Sequence, residues 1–265
     1  MLKISEIRVR SILSKTGLPA DYVINPYVGC GHACVYCYAC FMKKFSAHTE
    51  PWGTFVDIKI NAADVLPAKP AKYANKSIYL SSVTDAYQPL EKKYQLTRKI
   101  LEKLIQFQPR ISIQTKSSLV LRDLDLLQQF SSCEVGFTIV TADEKLRREI
   151  EPLATPIAER LAALKQIHDA GLPTYIFIGP ILPYLTGWKD IISATKDFVD
   201  YYMIDSFNTR GAIWSNVRRC LAGSHPDLLS RYDKIYVSGA NYWRKVSDAV
   251  REYSRLEGID SRIFF

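Results

Sequence analysis

The stretch "NPYVGCGHACVYCYAC", residues 25–40, holds four of the chain's six cysteines. Cys30, Cys34 and Cys37 follow the spacing C-x3-C-x2-C, and Cys40 stands one further C-x2 step along. Cys133 and Cys220 lie alone. Thiolates grouped this closely suit zinc or an iron–sulfur cluster. Structural zinc is normally closed by four protein ligands in two separated pairs. Downstream there is neither a second C-x2-C pair nor an H-x3-5-H. Cys40 would complete a set of four only by crowding every ligand onto one tight loop. The ferredoxin run C-x2-C-x2-C-x3-C-P does not fit either.

Such a loop needs a frame to hold it. Apolar, β-rich runs predict strands at 22–29, 77–83, 110–116, 133–140, 173–181 and 202–207. Between them lie helical patterns at 91–107, 119–130, 155–171 and 188–201, with a closing helix at 242–258. Leu96, Ile100, Leu104 and Phe107 recur at helical spacing. Thr155 is placed to cap a helix that starts at Pro156 and stops before Gly171. Strand followed by helix, about six times over, predicts right-handed βαβ units and a parallel α/β sheet. The pattern does not separate an open sheet from a barrel, but both gather their chemistry at the C-terminal ends of the strands. The simplest division is a single domain over 1–265, with a core at about 20–205 and an irregular C-terminal extension at 206–265.

The 265 residues are 48% hydrophobic and 23% charged, as in ordinary globular chains. Lys and Arg outnumber Asp and Glu by 35 to 27, for a net charge of +8. That excess is spread along the chain; it is compatible with a nucleic-acid partner and equally with a solvated surface. No apolar segment of the signal-peptide kind follows "MLKISEIRVR". The longest apolar stretch, "LPTYIFIGPILPYL", is too short and too interrupted by proline to span a bilayer. A cytoplasmic location with no membrane partner is the expectation. In that reducing compartment clustered cysteines serve as ligands or redox groups rather than disulfides.

The cysteine spacing, with Tyr36 just before the last thiol and a strand just before the loop, resembles the radical S-adenosylmethionine (SAM) superfamily. "NPYVGCGHACVYCYA", "SSVTDAYQPLEKKYQLTR", "IQTKSSLVLRDLDLL", "GFTIVT", "EPLATPIAERLAALKQIHDAGL" and "IGPILPYL", in order from about residue 22 to 190, are similar to its spore photoproduct lyase-like branch. The resemblance implies a partial (β/α)6 TIM-type barrel. It also implies a 4Fe–4S cluster on Cys30, Cys34 and Cys37, with one iron left open for the amino and carboxylate groups of S-adenosylmethionine. Ser82, Thr84 and Asp85 would then lie near the methionyl ammonium, and Lys116 would offset the carboxylate. Thr138 and Glu151 would meet the ribose, and Ile181 the adenine. Each has a plainer reading: Asp85 as a turn acid, Glu151 as a helix charge, Lys116 as a solvated cation, Thr138 and Ile181 as core.

The implied activity is reductive cleavage of S-adenosylmethionine by an electron from a flavodoxin or ferredoxin, followed by hydrogen abstraction from a substrate. For this branch that substrate would be a DNA lesion, a lyase reaction of DNA repair. One departure stands out. Where the lyases carry a hydrogen-donating cysteine in a C-T-S-D context, this chain has "SVTD", with Ser82 in that place. Tyr36 and Tyr38 would either relay a hydrogen atom or pack around the cluster; Cys40 would be either a donor or a small buried hydrophobe. The alternatives are radical modification of a protein or small metabolite, and a non-catalytic zinc-stabilised binding module. His32 is expected to bond backbone beside the loop. His48, His168, His225, Cys133 and Cys220 are expected to be structural.

Overall fold

The computed structural model describes residues 2–238 and 240–265. Among the described residues eleven strands form two sheets: β1 (Lys3–Ile7), β2 (Leu13–Lys15), β3 (Tyr22–Ile24), β4 (Tyr27–Val28), β5 (Phe55–Lys59), β6 (Ser77–Leu80), β7 (Arg110–Thr115), β8 (Cys133–Thr138), β9 (Thr174–Ile181), β10 (Tyr201–Ser206) and β11 (Ser261–Ile263). The larger sheet runs β11-β10-β9-β8-β7-β6-β3-β2. From β3 to β10 its six strands are parallel and consecutive in space, the barrel staves expected from the sequence. β11 extends them in parallel and β2 antiparallel. The result is the α/β partial barrel.

Along β7, Ile111, Ile113 and Thr115 are buried while Arg110, Ser112 and Gln114 alternate with them. Ile111 and Ile113 meet Ile100, Leu101 and Leu104 of the helix Leu96–Leu104 and Leu164 and Ile167 of Ile157–Asp169 in one apolar core. The alternating set faces the lumen, which is polar: Tyr79 donates to Gln114 at 2.9 Å, Gln114 to Thr138 at 3.1 Å, and Tyr201 to Glu134 at 2.9 Å. Near the N-terminal ends of the strands the lumen widens into a cavity of about 740 Å³, lined among others by Tyr79, Glu134, Tyr175, Tyr201 and Arg262.

The smaller sheet, β1-β5-β4, lies outside the barrel pattern and was not expected. Glu91 ties it down. This fully buried carboxylate accepts from the Tyr27 hydroxyl of β4, from Arg122 at 2.8 Å, and from the backbone amides of Leu96 and Thr97 at 2.9 and 3.0 Å. Those amides begin a new helix, so the pattern predicted as one helix over 91–107 breaks at Gln95, whose φ is 53°. Likewise 119–130 is a 3-10 turn, Ser118–Asp123, leading into a short helix, Leu124–Leu127.

The expectation of an irregular C-terminal extension does not hold. It contains the helices Ala212–Ser224, Leu229–Ser238 and Ala240–Glu257. Phe207, Ile213, Val217, Leu221 and Tyr232 of this region form a second apolar cluster with Leu182 and Tyr36, so the extension packs against the cysteine loop. No helix among the described residues is long and apolar enough to cross a membrane.

Candidate metal and cofactor centre

The cysteine loop begins where β4 ends, and its backbone demands small residues. Gly29 sits at φ 84°, and a Cβ there would lie 2.3 Å from the carbonyl oxygen of Phe55. Ala33 also takes a left-handed conformation, φ 55°. The loop is stitched to the strand ends around it. Thr84 donates to the Gly29 carbonyl at 2.6 Å, Gln88 accepts from the Gly31 amide at 2.8 Å, and the Val35 amide bonds the Ile150 carbonyl at 2.9 Å.

Cys30, Cys34 and Cys37 are all free thiols. Burial pushes each of them up, and for Cys30 the neighbouring Asp85, Cys34 and Cys37 add to it. Low-dielectric surroundings of this kind disfavour a bare thiolate and favour one neutralised by a cation. Among the described residues no three His, Cys, Asp or Glu side chains converge tightly enough to chelate one ion. A lone zinc with Zn–S near ~2.3 Å would need that convergence. An iron–sulfur cluster spreads its thiolates wider, and an all-sulfur donor set on one loop fits it.

Asp85 follows β6 as expected, and its side chain is turned into the protein. Its carboxylate accepts from Thr115 Oγ1 at 2.7 Å and from the amides of Tyr87 and Lys116 at 2.8 and 2.9 Å. The His32 imidazole adds an ion-pair contact at 3.2 Å. Three hydrogen bonds thus engage both carboxylate oxygens. Burial alone would raise this carboxyl, yet His32 and the hydrogen bonds hold it well below the usual range. Asp85 therefore locks two strand ends to the loop. His32 also places Nδ1 3.2 Å from the Leu153 carbonyl, the backbone partner expected of it.

Glu151 is likewise engaged within the protein. One oxygen accepts from the Tyr36 hydroxyl, and the other lies 2.5 Å from the Arg160 guanidinium. Burial acts to raise it, but Arg160, Lys116 and Tyr36 together lower it. Arg160 also reaches the Thr138 and Thr155 carbonyls at 3.0 and 2.6 Å. Thr84, too, is committed, to Gly29. Sequence reasoning missed Arg160 and Gln88, whose partners lie far along the chain.

Lys116 differs from these. Its ammonium lies 5.7 Å from the Tyr36 ring centre, and no carboxylate sits within ion-pair distance of it among the described residues. Burial works against its charge, but Cys34, Glu151 and Asp85 more than offset that and raise it. Ser82 is half-buried, its hydroxyl 3.4 Å from the Asn25 amide and its carbonyl bonded by the Tyr38 hydroxyl. The Tyr38 side chain is otherwise exposed, at 53%. Thr138 and Ile181 are buried, Thr138 accepting from Gln114 and Ile181 packed into the main core. Cys40 is half-buried against the second apolar cluster.

Residues 24–192 match the profile of the Radical SAM superfamily. The chain belongs to that superfamily. It is 42% identical over 212 residues to an uncharacterized protein of Methanocaldococcus jannaschii, covering 80% of each chain. An uncharacterized protein of Mycobacterium tuberculosis is 30% identical over 254 residues, covering 88% of this chain and 74% of that one. The fold is similar to that of a spore photoproduct lyase variant solved with AdoMet and dinucleoside spore photoproduct: TM-score 0.71, 15% identity, all of this chain and 82% of that one. It is also similar to Streptococcus suis SuiB bound to S-adenosylmethionine: TM-score 0.52, 13% identity, 92% and 50% coverage. This is a radical SAM enzyme, and the family implies S-adenosylmethionine and an iron–sulfur cluster. The alternative of a non-catalytic zinc module falls with that membership.

Proposed function

We propose that Cys30, Cys34 and Cys37 hold a 4Fe–4S cluster whose fourth iron takes S-adenosylmethionine, and that Lys116 receives the methionyl carboxylate. Held by these three thiolates, the cluster would supply the one-electron reductive cleavage of S-adenosylmethionine that initiates hydrogen abstraction from the substrate. The chain's own residues bind and orient. Asp85, Thr84 and Gln88 fix the loop over the ends of β6 and β7. Glu151 and Arg160 fix Tyr36. The lumen side of β8 and β9 shelters the reacting carbon from water. The observation that carries this reading is Lys116, an ammonium with no carboxylate in ion-pair distance among the described residues that the neighbouring Cys34 helps to hold charged.

The proposed substrate is a lesion-bearing or modified nucleic acid, met by a cytoplasmic enzyme that draws its electron from a flavodoxin or ferredoxin. Two features support it. The net charge is +8, and Tyr184 projects 55% exposed from the segment after β9 with Arg231 5.4 Å from its ring centre. An exposed ring beside a guanidinium can stack a base that has left the helix. Ser82 favours a second reading, radical modification of a protein or metabolite. Its O–H is too strong a bond to return hydrogen to a carbon radical, and the donor would have to be Tyr38, Cys40 or the substrate itself.

Anaerobic reconstitution tests the core reading. About four irons per chain and dithionite-dependent formation of 5′-deoxyadenosine support it; a colourless chain with no turnover defeats it. Deuterium carried into 5′-deoxyadenosine from a labelled oligonucleotide, but not from peptides, would select the nucleic-acid reading.

A further inference from the structure

Trp52 touches the cysteine motif directly. Its indole Nε1–H donates to Cys37 Sγ at 3.2 Å. Among the described residues no side-chain N–H donates to Cys30 or Cys34. We infer that Trp52 is a positioning residue that raises the reduction potential of the cluster through this bond, a role that rests on Cys37 being a cluster ligand.

The indole is delivered by design of the local backbone. Residues 51–54 form a turn closed by the Thr54 amide on the Pro51 carbonyl at 3.1 Å. Its Gly53 stands at φ 89°, and a Cβ there would lie 3.0 Å from Ala33 Cα, so only glycine lets the turn press against the cysteine loop. The indole packs edge-on against Phe55, centroids 5.6 Å apart, and Phe55 is the buried first residue of β5. The smaller sheet thus has a purpose that the barrel alone does not supply. It holds an N–H donor against one thiolate.

The physical consequence follows from charge. A ligand thiolate becomes more electron-rich when its cluster gains an electron, so a fixed N–H dipole aimed at the sulfur stabilises the reduced form more than the oxidised one. Hydrogen bonds to cluster sulfurs are among the features that set such potentials. Trp52 makes the first electron easier to accept and leaves less driving force for passing it on.

The test uses wild-type and Trp52→Phe chains, reconstituted anaerobically without S-adenosylmethionine and titrated against low-potential mediators, with the reduced cluster read by electron paramagnetic resonance. The expected result is unchanged iron content and a midpoint moved to more negative potential. A second variant carries benzothienylalanine at position 52, which keeps the indole shape and lacks the N–H, and should move the midpoint the same way. An unmoved midpoint in both variants overturns the inference. So does loss of iron in both, which would make Trp52 part of the loop's packing only. A wild-type chain that binds no iron–sulfur cluster instead defeats the function proposed above, and that outcome is visible before any variant is made.

Discussion

Arg160 and Glu151 meet at 2.5 Å with neither side chain appreciably exposed. The pair joins the helix Ile157–Asp169 to the residue that ends Glu144–Ile150, and through Tyr36 it reaches the cysteine loop. A charge buried this deeply is tolerated only while its partner remains.

Removing both partners is therefore expected to do less damage than the two single removals added together. Arg160→Leu or Glu151→Leu alone should cost about 3–5 kcal/mol, read as urea unfolding of the metal-free chain. The double leucine variant should be clearly less destabilised than the two singles added together. Strict additivity would show that the two charges are not energetically coupled.

Part of the frame was legible in the sequence because a strand buried on both faces leaves a continuous apolar run. "TYIFIGPI" is β9 for that reason, and the cysteine spacing marked the centre. What escaped notice depends on distant partners. β1, β4 and β5 are short and gain their sheet only by pairing across tens of residues. The helix break at Gln95 is made by the Glu91 carboxylate capping the next helix, which no period of apolar residues reveals. Asp85 and Glu151 stood at the predicted places, yet their contacts with Thr115, His32, Tyr36 and Arg160 were not foreseen. Strand-end position predicts proximity to a site; it does not predict which lone pairs remain free.

Gly29 and Gly171 offer a controlled comparison. Both have left-handed backbones, φ 84° and 83°, but a Cβ at Gly29 would strike the Phe55 carbonyl while Gly171 has nothing within 4 Å. Gly171→Ala should cost about 1–2 kcal/mol, the usual left-handed strain. Gly29→Ala should cost clearly more and also lower iron loading after reconstitution. Equal losses in unfolding and equal iron content would mean that β5 yields to the extra atom.

The link between the segment entering β3 and the start of β6 should show in acid. Asp21 accepts from the Ser77 amide at 2.9 Å, from its hydroxyl at 3.0 Å and from Lys76 at 3.0 Å. These bonds, the backbone amide foremost, lower its carboxyl to about 2. A depressed acid stabilises the fold above its unfolded value of about 3.9 and loses that contribution as pH falls toward the folded one. The stability difference between wild type and Asp21→Asn should hold steady near neutral pH and close between those two values. A difference that widens on acidification would contradict the assignment.

Lys116 is the residue on which the proposed cofactor contact can be judged most cleanly, because its ammonium is not spent on a protein carboxylate. Its backbone amide already serves Asp85, so shortening the side chain leaves the strand end intact. A charge-assisted contact is worth about 1.5–3 kcal/mol, so Lys116→Met should weaken S-adenosylmethionine binding by about 10–100-fold with iron content unchanged, measured by anaerobic calorimetry on the reconstituted chain. The sign of the pH effect follows from the raised value of this ammonium. A base whose folded value lies above the ordinary one stays charged through neutral pH and is lost only above about 10.4. Affinity should therefore show no Lys116-dependent step between neutral pH and that limit. A wild-type step in that interval that disappears in Lys116→Met would mean that Cys34, Glu151 and Asp85 do not hold the ammonium charged once the cofactor is bound. Unaltered affinity in the variant would remove Lys116 from the cofactor's carboxylate altogether.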